Sequence, residues 1–354
     1  MALWCFAQRK AGAVVLEVGL GGRLDSTNVV SPSVCVVTSI SFDHTKQLGR
    51  TLAAIAGEKG GIIKPGVPVV SGVTAAEPRA AIERIAAGQG APLVRIHRDF
   101  DIVSRNQHVS RTGRDPAIRV TRHEIDYLAP QAFGLAPARL EGLTLGLAGR
   151  HQAENAALAI AAADLLRSRC PAIDVDAVRR GLVELRWPAR IETLRHAPRV
   201  ILDAAHNTAS IAALLETLGE EHRGGTRYLI FAASRDKDCA AMLRQLAPFF
   251  DVIVLTQYEH NPRYVPLDAL RAMLDDVQRT ATGGVSSWHR PWLEAKPRRQ
   301  PRMPRRALRI QATPTPRAAW EIVRAAAGPH DLVVATGSFF LAAELRPLIL
   351  EQSE

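Results

Sequence analysis

Residues Glu17–Lys64 read EVGLGGRLDSTNVVSPSVCVVTSISFDHTKQLGRTLAAIAGEKGGIIK, and the fold class turns on them. VVLEV (14–18) and VCVVTSI (34–40) are continuous apolar runs, the pattern of parallel strands covered on both faces. Between them, Gly19, Gly21 and Gly22 with Arg23, Leu24 and Asp25 make a tight strand-to-loop turn that calls for positive φ. Glu17 falls inside the first run, where a lone buried carboxylate is costly unless paired or metal-bound. Asp43 and His44 fall just past the second run, at the carboxyl end of a strand, where open α/β sheets place their ligands. A helix-like run then carries Glu58 and Lys59. Glu17, His44 and Lys59 at strand ends suggest a metal and phosphate site. The bland alternative makes Glu58 and Lys59 an ordinary exposed helical pair.

Further along, 67–70 and 93–97 read as short buried strands, separated by helices in a βαβ rhythm. From Asp99 to Leu147 polar and apolar residues alternate, as in IRVTRHEIDYLA, which predicts an antiparallel patch. HQAENAALAIAAADLLRSR has helical spacing, with Pro171 just after it. A second helix from about Asp174 to Glu184 leads into Trp187–Arg190. RVILDAAH, RYLIFAAS, DVIVLTQY and DLVVATGS then give four buried strands, interleaved with helices, and Ser210 is a plausible N-cap after the first. No G-x-G-x-x-G follows that strand, so a dinucleotide is not implied. The expectation is an α/β chain of two domains, 1–190 and a Rossmann-like 191–354.

Composition narrows the classes. The 354 residues are 47% hydrophobic and 23% charged, as in a soluble globular protein. No apolar run reaches the ~18 residues that span a bilayer. Arg9 and Lys10 follow the N-terminal apolar stretch, the wrong order for a signal peptide. Cys5, Cys35, Cys170 and Cys239 are scattered, the pattern of reduced, mostly buried thiols in a cytoplasmic protein. The net charge of +10 is concentrated: nine Lys or Arg and one acid, Glu294, lie between Arg290 and Arg317, with six prolines. This reads as a solvated insertion near 285–315. The alternative is a polyanion-binding arm, but no aromatic platform for nucleic acid accompanies it.

Further motifs recur along the chain: Gly149-Arg150-His151-Gln152 with Asn155-Ala156-Ala157-Leu158, Trp187-Pro188-Ala189-Arg190, Leu202-Asp203-Ala204-Ala205-His206-Asn207, Asp236-Lys237-Asp238 and Thr336-Gly337-Ser338. Each alone is weak. Together with the opening stretch they resemble, in family order, the folylpolyglutamate synthase/dihydrofolate synthase family of the Mur ligase superfamily. The resemblance implies a Mur-ligase-type central ATPase domain followed by a Rossmann-like C-terminal domain. It also implies a reaction: ATP phosphorylates a carboxylate of dihydropteroate or a reduced folate, and L-glutamate attacks the acyl phosphate.

Residue by residue, the resemblance implies that Gly21, Arg23, Asp25 and Ser26 border the pterin-bearing substrate. Glu17, His44 and Lys59 surround Mg2+, with Lys59 carbamylated, because a protonated amine offers only donors and cannot ligate. Asn155, Arg190 and Asp203 contact ATP; a guanidinium suits phosphate through its rigid fork of donors. His206 serves the phosphoryl or acyl-phosphate region, and Lys237 places the incoming glutamate. Departures are Gly60 for a usual Ala, Ala189 and Ala204 for usual Gly, and Thr208 for a usual Pro. None removes a polar group.

Family members also carry a glycine-rich phosphate loop ending Gly-Lys-Ser or Gly-Lys-Thr upstream of this glycine turn. No Gly-Lys dipeptide occurs in this sequence. Its first residues resemble the helix just before the expected first strand, so the chain reads as a ligase lacking roughly its first hundred residues. That loop's amides and lysine are what the resemblance implies for holding the phosphates of ATP, so their absence puts ATP binding by these residues in question. The rival reading is a non-catalytic ligase-like fold that binds folate or a protein partner. A polyanion-binding protein acting through 290–317 is a third.

Overall fold

Parallel pairing at three short strands organises the N-terminal half of the chain in the computed structural model, which describes residues 1–110, 119–129, 139–221, 225–282 and 308–351. The chain folds into two compact units. One comprises Met1–Val103, Ile125–Leu143 and Ala153–Leu182; the other comprises Ser104–Glu124, Thr144–Gln152 and Val183–Glu354.

In the first unit β1 (Cys35–Val37), β2 (Val69–Ser71) and β3 (Leu93–Arg95) form a parallel sheet in that order, with Val37 opposite Ser71 and Ser71 opposite Arg95. Helix α1 (Ala2–Gln8) buries no residue, and α2 (Thr45–Leu48) follows β1. Helices α3 (Leu52–Gly60) and α4 (Ala76–Gly88) supply Ala56, Ala81 and Ile82 to a core shared with Cys35, Val37 and Val69. Removing such apolar surface from water is the main favourable term, about 25 cal/mol per Å².

The strand expected at 14–18 is not formed. Val14 and Val15 are 42% and 97% exposed, and Glu17 is exposed rather than buried. A strand exists only through a neighbour that takes its backbone hydrogen bonds. Among the described residues nothing pairs with 14–18, although β1 stands at the edge of its sheet. The run is apolar enough to be sticky, but stickiness does not supply a partner.

The alternating stretch forms its own three-stranded sheet, β4 (Asp101–Ser110), β5 (Arg119–Leu128) and β6 (Arg139–Leu145). Helices α5 (Arg150–Leu166) and α6 (Val175–Glu184) come next. The second unit then lays down six strands: β7 (Glu192–His196), β8 (Arg199–Leu202), β9 (Arg227–Phe231), β10 (Val252–Leu255), β11 (Arg309–Ala312) and β12 (Leu332–Thr336). Their order is β11-β10-β9-β12-β8-β7, parallel except for β7 against β8. Helices α7 (Thr208–Glu221), α8 (Cys239–Leu246), α9 (Leu267–Thr282), α10 (Pro316–Ala326) and α11 (Phe339–Glu351) connect and follow them. Two hydrophobic clusters draw on alternate residues of the same strands, Ile201 and Leu229 in one, Leu202 and Ile230 in the other. That explains the unbroken apolar runs.

Two edge strands escape the pattern because their surfaces are only half covered. β7 is polar ETLRH, and β11 lies at the end of the basic window. Residues 283–307, most of that window, lie outside the described residues. Its end is regular rather than looped: edge strands tolerate exposed charge, and Pro316 occupies the first turn of α10, where no N–H is missed. Cys35 and Cys239 are buried as expected, whereas Cys5 and Cys170 are half-exposed; all four are free thiols. No described helix is long and apolar enough to cross a membrane.

Candidate functional site

The glycine turn of the first unit is built around the Asp25 carboxylate. One oxygen accepts the Gly19 and Leu20 amides at 3.0 and 3.2 Å; the other accepts the amide and hydroxyl of Thr27 at 2.9 and 2.7 Å. These hydrogen bonds, Thr27's foremost, pull the Asp25 pKa down to about 2. Ser26 opens the short 3-10 turn that Asp25 caps. The guanidinium of Arg23 donates to both Glu58 oxygens at 3.0–3.3 Å, and its amide donates to the Glu58 carbonyl at 2.9 Å. Glu58 is therefore no idle surface acid: it fastens the turn to α3.

Close approach explains two of the glycines. A Cβ on Gly22 would stand 2.9 Å from the Lys59 carbonyl oxygen, and one on Gly61 would run into Arg23 Cβ. Asn28 bridges the two segments by donating to the carbonyls of Arg23 and Gly61 at 3.0 and 3.1 Å. Lys64 donates to the Asn28 carbonyl at 2.9 Å. Sequence reasoning misses these roles of Glu58, Gly61, Asn28 and Lys64 because nothing local says that the turn and the end of α3 touch.

His44 precedes α2 with φ of 49°, a left-handed conformation uncommon outside glycine, and its amide donates to Asp43 Oδ1 at 2.8 Å. Lys59 is half-buried in the last turn of α3, while Glu17 stands on the exposed, unpaired segment. Among the described residues no three His, Cys, Asp or Glu side chains gather as metal ligands. Glu17 lies on a segment that forms no strand, so the buried strand position expected for it is not observed. Asn155 is exposed on α5.

In the second unit three motifs meet at the carboxyl edge of one sheet. Asp203–Asn207 follows β8, Ser234–Asp238 follows β9 and Gly337–Ser338 follows β12, and these are neighbouring parallel strands. Gly337 donates its amide to the Ala205 carbonyl at 3.0 Å; its φ of 111°, and the Ala232 carbonyl that any added Cβ would strike, require glycine. Asp203, 7% exposed, accepts the Ile191 amide at 2.9 Å and the Ala205 amide at 2.8 Å. Burial raises its pKa in spite of those bonds. Ala189 and Ile191 both have positive φ, and the Ala189 amide is held by Glu192 at 2.9 Å. Exposed Arg190 is thus fixed between two carboxylate-pinned residues. His151, from the Gly149–Gln152 motif, lies close enough for Arg190's charge to act on it; burial chiefly, and that charge, lower its pKa to about 4.

The His206 ring hydrogen-bonds the Ala204 carbonyl through Nδ1 at 3.0 Å; a carbonyl only accepts, so Nδ1 carries hydrogen. The ring lies 5.3 Å from that of Phe339. The cap of α7 is Asn207, which accepts the Ser210 amide at 2.9 Å, rather than Ser210 itself. Ser210 reciprocates from the third position by accepting the amides of His206 and Asn207. The Lys237 side chain is only 10% exposed and stands 3.9 Å from Asp236. The structure therefore brings His206, Lys237, Asp203 and Arg190 to one edge of this unit, and Arg23, Asp25, Ser26 and Gly21 to one turn of the other.

The Mur ligase, glutamate ligase domain family matches residues 189–339. A dihydrofolate synthase/folylpolyglutamate synthase of Bacillus subtilis is 35% identical over 251 residues, 71% of this chain and 54% of its own length. A folylpolyglutamate synthase of Lacticaseibacillus casei is 33% identical over 267 residues, 75% and 58%. The chain spans about half the length of the curated relatives it matches. Among solved structures, a Mycobacterium tuberculosis folylpolyglutamate synthase complexed with ADP and AMPPCP superposes with a TM-score of 0.77 at 28% identity, over 98% of this chain and 71% of that one. An Escherichia coli FolC in complex with DHPP and ADP also gives 0.77, at 27% identity, over 100% and 70%.

Proposed function

Because this chain is a homologue of the folylpolyglutamate synthases and dihydrofolate synthases and carries a Mur ligase C-terminal domain, we propose that it acts in ATP-dependent ligation of L-glutamate to dihydropteroate, tetrahydrofolate or both. The carboxylate takes the terminal phosphoryl group of ATP, with ADP leaving. The glutamate nitrogen then forms the amide bond as phosphate departs. The carrying observation is the convergence of Arg190, Asp203, His206 and Lys237 on one edge of the second unit's sheet.

Each residue has a physical role. Arg190 offers a guanidinium to nucleotide phosphate, and Asp203 sets its position through the Ile191 amide. With hydrogen on Nδ1, His206 presents Nε2 to the phosphoryl group and, when protonated, donates to its oxygen. Lys237, largely shielded from solvent, pairs with a carboxylate of the incoming amino acid. Asn155 contributes to the nucleotide, and the Gly21–Ser26 turn borders the pterin. Lys59 is proposed as a carbamylated lysine; NMR after 13C-bicarbonate labelling reads that carbamate directly. Magnesium supplies charge neutralisation to phosphoryl transfer, carried by the phosphates.

The missing Gly-Lys dipeptide favours a second reading for these 354 residues alone, binding without turnover. Two measurements separate the readings: ATP-dependent incorporation of labelled glutamate into dihydropteroate and tetrahydrofolate, and calorimetric binding of dihydropteroate and ADP. Incorporation that is lost in Arg190→Ala supports ligation. Binding without incorporation supports the second reading, and absence of both would remove support from each.

A further inference from the structure

At the carboxyl ends of β2 and β3 the first unit holds a cavity of ≈ 280 Å³ lined by Val73, Thr74, Arg79, Arg95, Ile96, His97 and Arg98. Three of the seven are arginines, one is a histidine and none is an acid. The arginines are held rather than floppy. Arg79 donates to the Thr74 carbonyl at 3.2 Å; Arg98 donates to the Leu93 carbonyl at 3.0 Å and to Asp99. Glu83 ion-pairs with Arg95 and stands 3.9 Å from Arg79, so it draws these two cations together from behind the lining. The turn itself is fixed: Arg95 donates its amide to Asp99 at 2.7 Å, His97 has φ of 62°, and its Nδ1 lies 2.8 Å from Asp101.

One donor has no acceptor. The Arg95 Nε–H is buried without a hydrogen-bond partner, and a buried unpaired donor calls for an explanation such as an absent ligand or water. An anion with oxygen acceptors answers it. The walls add a second demand: Val73 and Ile96 are buried apolar residues, of no use to inorganic phosphate but suited to a methylene stem. The volume is just below the ~300 Å³ where drug-sized ligand sites begin, too small for a nucleotide. Because β1, β2 and β3 are parallel and in register, this cavity and the end of β1 face the same sheet edge, with β3 about 10 Å from β1 at the ordinary strand spacing.

We propose that this cavity is a carboxylate subsite that takes one γ-glutamyl unit of a polycarboxylate chain, its carboxylates on the arginines and its methylenes against Val73 and Ile96. This rests on the ligase reading for the source of such a chain, since each round of glutamate addition leaves one more carboxylate on the product. The binding test needs neither ATP nor pterin, so its failure and that of the ligase reading are separable.

The test titrates the 354-residue chain at low salt with tri-γ-L-glutamate, L-glutamate and inorganic phosphate by calorimetry. The tripeptide is expected to bind at least tenfold more tightly than either small ion. Arg79→Gln and, independently, Arg98→Gln should weaken it at least fivefold, with melting followed to confirm that each variant is folded. Arg84→Gln, which removes an exposed charge from the same helix outside the cavity, should leave binding unchanged. Equal binding of phosphate and tripeptide would overturn the proposal in favour of a simple anion site. So would equal losses in the Arg79 and Arg84 variants, which would show long-range charge alone.

Discussion

The Asp203 carboxylate accepts the backbone amide of Ile191 at 2.9 Å, tying the end of β8 to the loop that presents Arg190. Asp203 also accepts the Ala205 amide, so one buried group orders both the loop before β7 and the turn carrying His206. Asp203→Ala leaves two amides without their acceptor. A loss of about 2–3 kcal/mol is expected, since each stranded buried donor costs roughly 1–3. Urea unfolding measures this. ADP affinity should fall along with it, and a variant that kept full stability would show the amides repaired by other means.

Gly61 tests the docking of the glycine turn on α3. An alanine there drives its Cβ into the backbone and Cβ of Arg23, and overpacking of this kind costs about 1–3 kcal/mol. Gly61→Ala should lower the unfolding midpoint and speed proteolysis at Leu24. Gly57→Ala on the same helix, where an added methyl meets open space, should be neutral or slightly stabilising.

The Arg23–Glu58 pair should matter less to stability than its geometry suggests. The side chains are 55% and 28% exposed, and exposed ion pairs contribute about 0–1 kcal/mol. Glu58→Gln should therefore shift stability by under about 1 kcal/mol, and high salt should shrink even that. A loss of several kcal/mol in urea titration would show that the pair closes off the turn from water.

His151 gives a pH signature. Its pKa falls from 6.5 to about 4 on folding, so between those values the unfolded chain binds the extra proton. Stability from this group is complete above pH 6.5 and is lost as pH falls toward 4. Between pH 7 and pH 5 the loss is about 2 kcal/mol. His151→Gln should flatten this part of the stability curve; an unchanged pH slope would assign it to other groups.

Exposed apolar side chains concentrate in the first unit's opening residues, with Trp4 at 66%, Val15 at 97%, Leu24 at 80% and Val29 at 77%. Exposed apolar surface of this kind favours association. The 354-residue chain should bind a hydrophobic dye and scatter light increasingly with concentration. Dye-free, monomeric behaviour at tens of micromolar would contradict this.

The α/β class and most of the second unit are legible in the amino-acid order. There the buried parallel strands need apolar residues on both faces, so VILD, YLIF, VIVL and VVAT stand out. The motifs after them are legible too, because strand ends are where short polar clusters interrupt apolar runs. The edge strands β7 and β11 are not, since half-exposed strands have no such signature. The 14–18 run fails for the opposite reason: its composition is that of a strand, but pairing is a property of a neighbour. Residue order alone dictates which segments must be buried and which polar residues lie at their ends. Which of those residues meet is settled by the folded chain in three dimensions. Asp203 reaches across twelve positions to order Ile191 beside Arg190, Glu58 reaches back thirty-five to hold Arg23, and arginines from a helix and a strand turn line one cavity, because hydrogen bonds and charge act over ångströms in space and are blind to separation along the chain.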